Sequence, residues 1–395
     1  MEWGLYVHLP FCRRRCSYCD FPIRVGAGSA EMAAYVGAVL REGAQQRERW
    51  AIADPPTTVY LGGGTPSLVD PGEVERLLEG LGRIFGGLGR EVTLEANPET
   101  VDGNRPARWR QAGINRLSIG VQSLDDRLLA AMRRPHRAAE ARAAVAAAKA
   151  AGFENLNCDL IYGWPGQSLG TWAATLAEVI RWRPAHISCY QLQVEPHTPL
   201  AHSQLPGPGD EAEEALRAAM GDLAEQWLEA AGYRRYELSN FARPGFACAH
   251  NQGYWRLRPY LGLGVGAHSF WAGRRWWNLA SVRRYVAALE AGAGVEAGGE
   301  ALDPVELMRE RLWLGLRERE GVERTAFFAQ FGLDWNQAFG RTVARLQALG
   351  LVVDTGDRLC LTRRGREVAN VVARALVDAP WEGAEAATAA PVAFP

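Results

Sequence analysis

The sequence predicts an α/β fold, a partial (β/α)6, TIM-like barrel followed by a helical, winged-helix-like domain. Three observations predict it. Over the first 240 residues six short β-rich runs alternate with amphipathic helical stretches. Polar clusters fall just after those runs, where the C-terminal ends of barrel strands would place them. From about residue 301 the pattern changes to helices around one hairpin.

In chain order, strands are expected over Gly4–His8, Thr57–Leu61, Glu91–Glu95, Arg116–Ile119, Leu156–Ile161 and His186–Gln191. Helical patterns lie near 30–49, 71–85, 105–112, 125–150, 168–182 and 210–231. Right-handed crossovers between parallel strands would curl these units into an open barrel, so residues 1–240 read as one core. From Gly245 to Trp277 the sequence is aromatic- and glycine-rich with little periodicity, and 241–300 reads as a junction. Helices near 303–317, 324–331 and 335–349, a hairpin across 351–361 and a helix near 363–377 give a second domain over 301–378. Helices with a wing resemble DNA-binding modules. Beyond Arg363, Arg364 and Arg366, however, no basic recognition helix stands out, and no nucleic-acid partner is expected. The Ala-, Pro- and Glu-rich stretch 379–395 reads as a disordered tail.

The chain has 395 residues, 48% of them hydrophobic, which is ample for a large core plus an appended domain. Its net charge of −1 supplies no bulk attraction to nucleic acid or an anionic membrane. Lys149 is the single lysine and sits in an ordinary Ala-rich helical stretch, which argues against a cofactor anchored through a lysine amine. The seven cysteines are too few and too unevenly placed for a disulfide framework. There is no charged-then-apolar leader and no apolar run near about 18 residues, so a reducing cytoplasm is expected, where clustered thiols bind metal more often than they pair.

Three of those cysteines lie in Phe11-Cys12-Arg13-Arg14-Arg15-Cys16-Ser17-Tyr18-Cys19-Asp20. The C-x3-C-x2-C spacing is neither a pair of zinc knuckles nor a C-x-x-C redox motif. Three thiolates on one loop can hold three corners of a cubane iron–sulfur cluster and leave the fourth iron open to a small molecule. The plain alternative is a redox-sensing or structural thiol cluster. After the second strand comes Gly62-Gly63-Gly64-Thr65-Pro66-Ser67, whose glycines let backbone amides approach a ligand. Glu95, Gln122, Arg134, His136 and Asp159 follow at later strand ends or after the next helix. Singly each is an ordinary loop or core polar residue. Together they outline a pocket for a polar, zwitterionic cofactor.

The cysteine triplet, the Gly-Gly-Gly-Thr-Pro turn and these strand-end residues resemble the radical S-adenosylmethionine (SAM) superfamily, in particular its coproporphyrinogen-dehydrogenase-like HemN/HemW branch. Leu-Tyr-Val-His-Leu-Pro-Phe-Cys, Asp-Leu-Ile-Tyr-Gly-Trp-Pro-Gly and Tyr-Glu-Leu-Ser-Asn-Phe-Ala also resemble that branch. The resemblance implies that Cys12, Cys16 and Cys19 bind a [4Fe-4S] cluster whose unique iron is chelated by SAM. It further implies that Tyr6, Gly63, Gly64, Thr65, Glu95, Gln122, Arg134 and Asp159 contact SAM, and that one-electron reduction cleaves SAM to methionine and a 5′-deoxyadenosyl radical.

Within the branch, the porphyrinogen-oxidising members carry a further cysteine two residues after the triplet and a substantial segment ahead of it. Here Phe21 stands at that position and Cys12 is the twelfth residue. Downstream, His250-Asn251-Gln252-Gly253-Tyr254-Trp255 matches the H-N-x-x-Y-W motif of the haem-binding members. Neutral imidazole is a ready haem ligand, Tyr254 and Trp255 offer flat faces, and Cys248 offers a second soft ligand. Alternatively, His250 and Asn251 make internal hydrogen bonds while the two rings fill a junction. The expectation is a haem chaperone that binds haem and hands it to apo-haemoproteins, with peripheral contact at the inner face of a membrane. No residue is assigned as catalytic. The alternatives are an oxygen-independent coproporphyrinogen III oxidase and a radical SAM enzyme of another substrate.

Overall fold

The computed structural model describes residues 1–203 and 211–383, and among these a sheet of twelve strands dominates. Six are the expected parallel strands, side by side in chain order: β1 (Gly4–Leu9), β2 (Thr58–Gly63), β3 (Glu91–Ala96), β4 (Arg116–Gln122), β5 (Asn155–Tyr162) and β6 (His186–Gln191). Helices α1 (Ser29–Arg49), α2 (Pro71–Phe85), α3 (Arg105–Gln111), α4 (Asp126–Ala131), α5 (Ala138–Ala150) and α6 (Leu169–Trp182) occupy the crossovers, and α7 (Glu211–Ala230) follows β6. Their starts are set locally. Asp70 accepts from the Gly72 amide with Pro71 at the first helical position, and Ser168 accepts from the Thr171 amide. The helical stretch expected over 125–150 is two helices, because Arg133 takes a left-handed backbone (φ 55°) and Pro135 follows.

Alternation along the strands gives the barrel two faces of opposite character. On the outer face Val7 pairs with Leu61, Leu61 with Leu94, Leu94 with Leu117 and Leu117 with Leu156, all buried in one core with the helices. On the inner face Tyr6 pairs with Tyr60, Glu95 with Ser118, Ser118 with Asn157 and Asn157 with His186. The barrel interior is therefore lined with polar and ionisable groups.

The stretch 241–300, expected as an aperiodic junction, continues the same sheet. β7 (Arg234–Arg235) and β8 (Asn240–Ala242) run antiparallel beyond β6. After α8 (Ala249–Trp255), β9 (Tyr260–Leu263) adds a seventh parallel strand along the other edge of β1. β10 (His268–Trp271), β11 (Arg274–Asn278), α9 (Val282–Glu290) and β12 (Glu296–Ala301) complete that side. A four-residue strand containing Gly262 is too short to show a period.

The second domain holds α10 (Pro304–Gly315), α11 (Arg324–Phe331) and α12 (Trp335–Ala348). β13 (Val322–Glu323) joins the hairpin of β14 (Val352–Asp354) and β15 (Arg358–Leu361) to form the wing. The last expected helix is broken at Val368 (φ −118°, ψ 34°) into α13 (Arg363–Glu367) and α14 (Ala369–Val377). Residues 379–383, grouped with the tail on composition, pack on this domain: Ala379 is buried and Trp381 meets Phe339 edge-on at 5.9 Å. Residues 384–395 lie outside the described residues. No described helix is long and apolar enough to cross a membrane.

One buried carboxylate ties α1 to the added strands. Glu42 accepts from the Gly264 amide (2.8 Å), Asn278 Nδ2 (2.6 Å) and the Tyr285 hydroxyl (2.5 Å). Burial still pushes its carboxyl up to about 7 from the ordinary 4.5, so between those values the folded state keeps a proton that the unfolded state has lost. The stability contributed by this group is full below pH 4.5 and falls as pH rises to about 7. Glu42→Gln is expected to remove that slope, roughly 1 kcal/mol per pH unit, in urea melts between pH 5 and 7. An unchanged slope would show that Glu42 is ionised throughout.

Candidate functional site

The C-terminal ends of the strands open into a cavity of about 620 Å3. Cys12, Cys16, Cys19, Gly63, Gly64, Thr65, Glu95, Gln122, Arg134 and Asp159 all line it. Sequence reading thus brought together residues that lie as much as 147 positions apart (159 − 12).

The cysteine loop is held at both ends by backbone bonds. Gly64 N donates to Leu9 O (2.9 Å), Thr65 N to Phe11 O (2.8 Å) and Arg24 N to Pro10 O (2.7 Å). At the far end Ser17 N donates to Met132 O (3.1 Å), and Leu200 N, after β6, donates to Ser17 O (2.7 Å). A Cβ on Gly64 would lie 2.7 Å from Pro10 C and O and 2.8 Å from Phe11 O, and Gly63 has a φ of 116°. These two positions demand glycine.

Behind the thiols runs a polar chain. Thr65 Oγ1 lies 3.6 Å from Cys12 Sγ and accepts from Asn97 Nδ2 (3.0 Å). Arg134 donates to Asn97 Oδ1, Gly120 O (3.0 Å) and Cys16 Sγ (3.5 Å), and its Nε is buried without a partner. Burial pushes the Cys12 thiol up to about 11 and raises Cys19 as well, so without a metal both are protonated at neutral pH. No group of His, Cys, Asp and Glu among the described residues converges as one metal ion requires. Cys12, Cys16 and Cys19 lie on one short loop and line the same cavity, and three thiolates so placed can take three separate corners of a cubane.

Two carboxylates lie deeper. Glu95 accepts from the Tyr60 hydroxyl (2.7 Å) and the Gly63 amide (3.1 Å), and burial with nearby Asp159 lifts it to about 7. Asp159 accepts from Ser118 (2.9 Å) and Asn157 (2.9 Å) and is also raised by burial. Gln122 holds a left-handed backbone (φ 63°) where the pairing of β4 and β5 shifts register, strain placed at the cavity wall.

Tyr6 is not among the lining residues. Its hydroxyl donates to His8 Nδ1 (3.0 Å), His8 Nε2 donates to Pro22 O (2.9 Å) after the triplet, and its ring stacks on Tyr60. Tyr60 does face the cavity. Sequence reading missed Tyr60, Asn97, Ser118 and Tyr190, which also line it. Strand alternation from Glu95 was the available signal for Tyr60 and Ser118.

His250 lies at the opposite, N-terminal end of the strands. Its ring nitrogens meet Thr58 Oγ1 (2.8 Å) and the Tyr254 hydroxyl (2.9 Å), and its ring stacks on Tyr60 at 5.0 Å. Glu91 accepts from the amides of Ala249 (3.0 Å) and His250 (3.0 Å) and from the buried Cys248 thiol (3.5 Å), satisfying the start of α8. Burial holds the imidazole neutral, down to about 3. Trp255 lies under the Arg317 guanidinium at 4.5 Å. At the base of the barrel His250 and Tyr254 are thus bonded internally, while the buried indole nitrogen of Trp255 has no hydrogen-bond partner.

A model of the radical SAM superfamily matches residues 6–179, and one of the HemN C-terminal domain matches 302–368. A heme chaperone HemW of Synechocystis is 38% identical over 92% of this chain and 93% of its own length. A heme chaperone HemW of Mycobacterium tuberculosis is 37% identical over 95% of each chain. Among solved structures, coproporphyrinogen III oxidase (HemN) from Escherichia coli superposes with a TM-score of 0.81 at 22% identity, covering 95% of this chain and 90% of that one. At that identity the likeness is one of fold.

Gly64→Ala tests the site directly. Anaerobic iron and sulfide loading is expected to fall several-fold while far-UV circular dichroism stays unchanged. Full loading would mean that the close approach of Gly64 is not required.

Proposed function

The chain belongs to the heme chaperone HemW family of radical SAM proteins, and on that premise we propose that it is a cytoplasmic carrier that binds haem and passes it to apo-haemoproteins. The observation that carries this reading is the near-complete match to relatives bearing that name, 93% and 95% of whose length is covered. Phe21, exposed where the porphyrinogen-oxidising members have a cysteine, supports it.

The residues at the barrel mouth fit the resident cofactor of the superfamily. Three thiols share one wall, Gly64 leaves no room for a side chain, and the buried Arg134 Nε has no partner. Cys12, Cys16 and Cys19 would hold a [4Fe-4S] cluster, and Gly63, Gly64, Thr65, Glu95, Gln122, Arg134 and Asp159 would hold SAM at its open iron. Bound together there, cluster and SAM supply one-electron cleavage of the sulfonium. The chain's own contribution is positional. Asn97 and Thr65 fix Arg134 beside Cys16, Tyr60 and Gly63 fix Glu95, and Ser118 and Asn157 fix Asp159.

The test is anaerobic reconstitution with haem and coproporphyrinogen III offered in parallel. We expect a shifted Soret band, transfer of that haem to a b-type apo-cytochrome, and no protoporphyrinogen in the presence of SAM and reductant. Absence of haem uptake, or formation of protoporphyrinogen IX, would overturn the carrier reading, the latter in favour of a coproporphyrinogen III oxidase.

A further inference from the structure

His8, His136, His186 and His250 are buried and already bonded. His8 is fixed between Tyr6 and Pro22, and His250 between Thr58 and Tyr254. His136 Nε2 donates to Val121 O (3.2 Å), with Glu99 3.7 Å from its Nδ1. His186 meets Asn157 (2.6 Å) and the Tyr236 hydroxyl (2.8 Å). None of these four has a ring nitrogen turned toward open space. The hollow beside His250 holds only about 10 Å3.

Three histidines are exposed. His268 is on β10, its ring tilted against Trp277 at 5.7 Å on the far side of the sheet from β6. His197 and His202 follow β6, and His197 is flanked by two anchors. Glu195 lines the mouth cavity, and Leu200 is bonded to Ser17 in the cysteine loop. His197 makes no hydrogen bond or ion pair among the described residues.

The rim of that cavity is complementary to an amphipathic, anionic ligand. Phe21 is 63% exposed and Tyr190 is 40% exposed, both on the cavity lining. Single exposed aromatics are ordinary on a surface, but Phe21 beside the cysteine loop and Tyr190 on the inner wall at the end of β6 give one cavity two aromatic faces, a contact for an apolar surface. Arg13 and Arg14, also exposed lining residues, pair with no carboxylate among the described residues, although Asp20 and Glu195 share the rim. Two free guanidiniums beside aromatic surface suit a flat molecule with carboxylates on one edge.

We infer that haem is received at this mouth, above the cysteine triplet, with its propionates on Arg13 and Arg14, its face against Phe21 and Tyr190, and its iron on His197. The inference rests on the haem-carrier reading and moves the cargo site from the base of the barrel to its mouth. A ligand there sits beside the cluster and open to a recipient.

The experiment titrates haem, and haem dimethyl ester, into the anaerobically reconstituted full chain. On the unaltered chain the ester is expected to bind at least tenfold more weakly, since it lacks both carboxylates. The double variant Arg13→Gln, Arg14→Gln should weaken haem tenfold or more and leave the ester unchanged. His197→Ala should alter the Soret position and the low-spin electron paramagnetic resonance signal at equal iron and sulfide content, while His250→Ala should alter neither. Equal affinity for haem and ester, or a Soret band that moves with His250 and not with His197, would overturn this site while leaving haem carriage intact. No haem uptake by the unaltered chain would instead remove the carrier reading itself.

Discussion

Gly64 runs against the backbone of Pro10 and Phe11 with no space for a Cβ, and the barrel mouth is arranged around that approach. The turn after β2 is pressed onto the segment leading to Cys12, so amides of one loop bond carbonyls of the other. Such contact places three thiols by backbone geometry and leaves their side chains free to act as ligands. Side-chain contacts then refine the placement. Thr65 reaches Cys12, Arg134 reaches Cys16, and His8 grips Pro22 beyond Cys19. A loop with three ligands needs this rigidity, because each wandering thiol would add conformational entropy to the cost of loading a cluster.

The polar interior is the second constraint. A barrel of this size normally fills its inside with aliphatic layers. Here Glu95, Asp159, Asn157, His186 and Arg116 share the inner face, and each needs partners to be tolerable away from water. Tyr60 donates to Glu95, Ser118 to Asp159 and Ser188 to Asn157, which meets that need for three of the five. Unpartnered guanidinium nitrogens remain at both ends, Arg116 Nε at the base and Arg134 Nε at the mouth. Of the two, only Arg134 lines the open cavity, where a ligand could meet it.

Much of this was legible in the sequence, and the omissions have physical causes. The six parallel strands are long enough to show alternation, and the cysteine spacing and glycine turn point to one chemistry, so barrel and mouth could be read together. β9 has four residues and a glycine, and no period survives in so short a run. Tyr60 and Ser118 look like core residues until register shows that they share a face with Glu95. The H-N-x-x-Y-W motif names residue types suited to haem but does not say which end of the barrel α8 docks against. That is decided by Thr58 and Glu91, at strand starts where no ligand chemistry was sought.

Tyr60 is the side chain in which the two ends meet, its hydroxyl on Glu95 at the mouth and its ring on His250 at the base. Replacing Tyr60 would therefore remove the hydrogen bond to Glu95 and the stack on His250 together. A stability change measured at Tyr60 belongs to both ends at once, and only a double-mutant cycle apportions it.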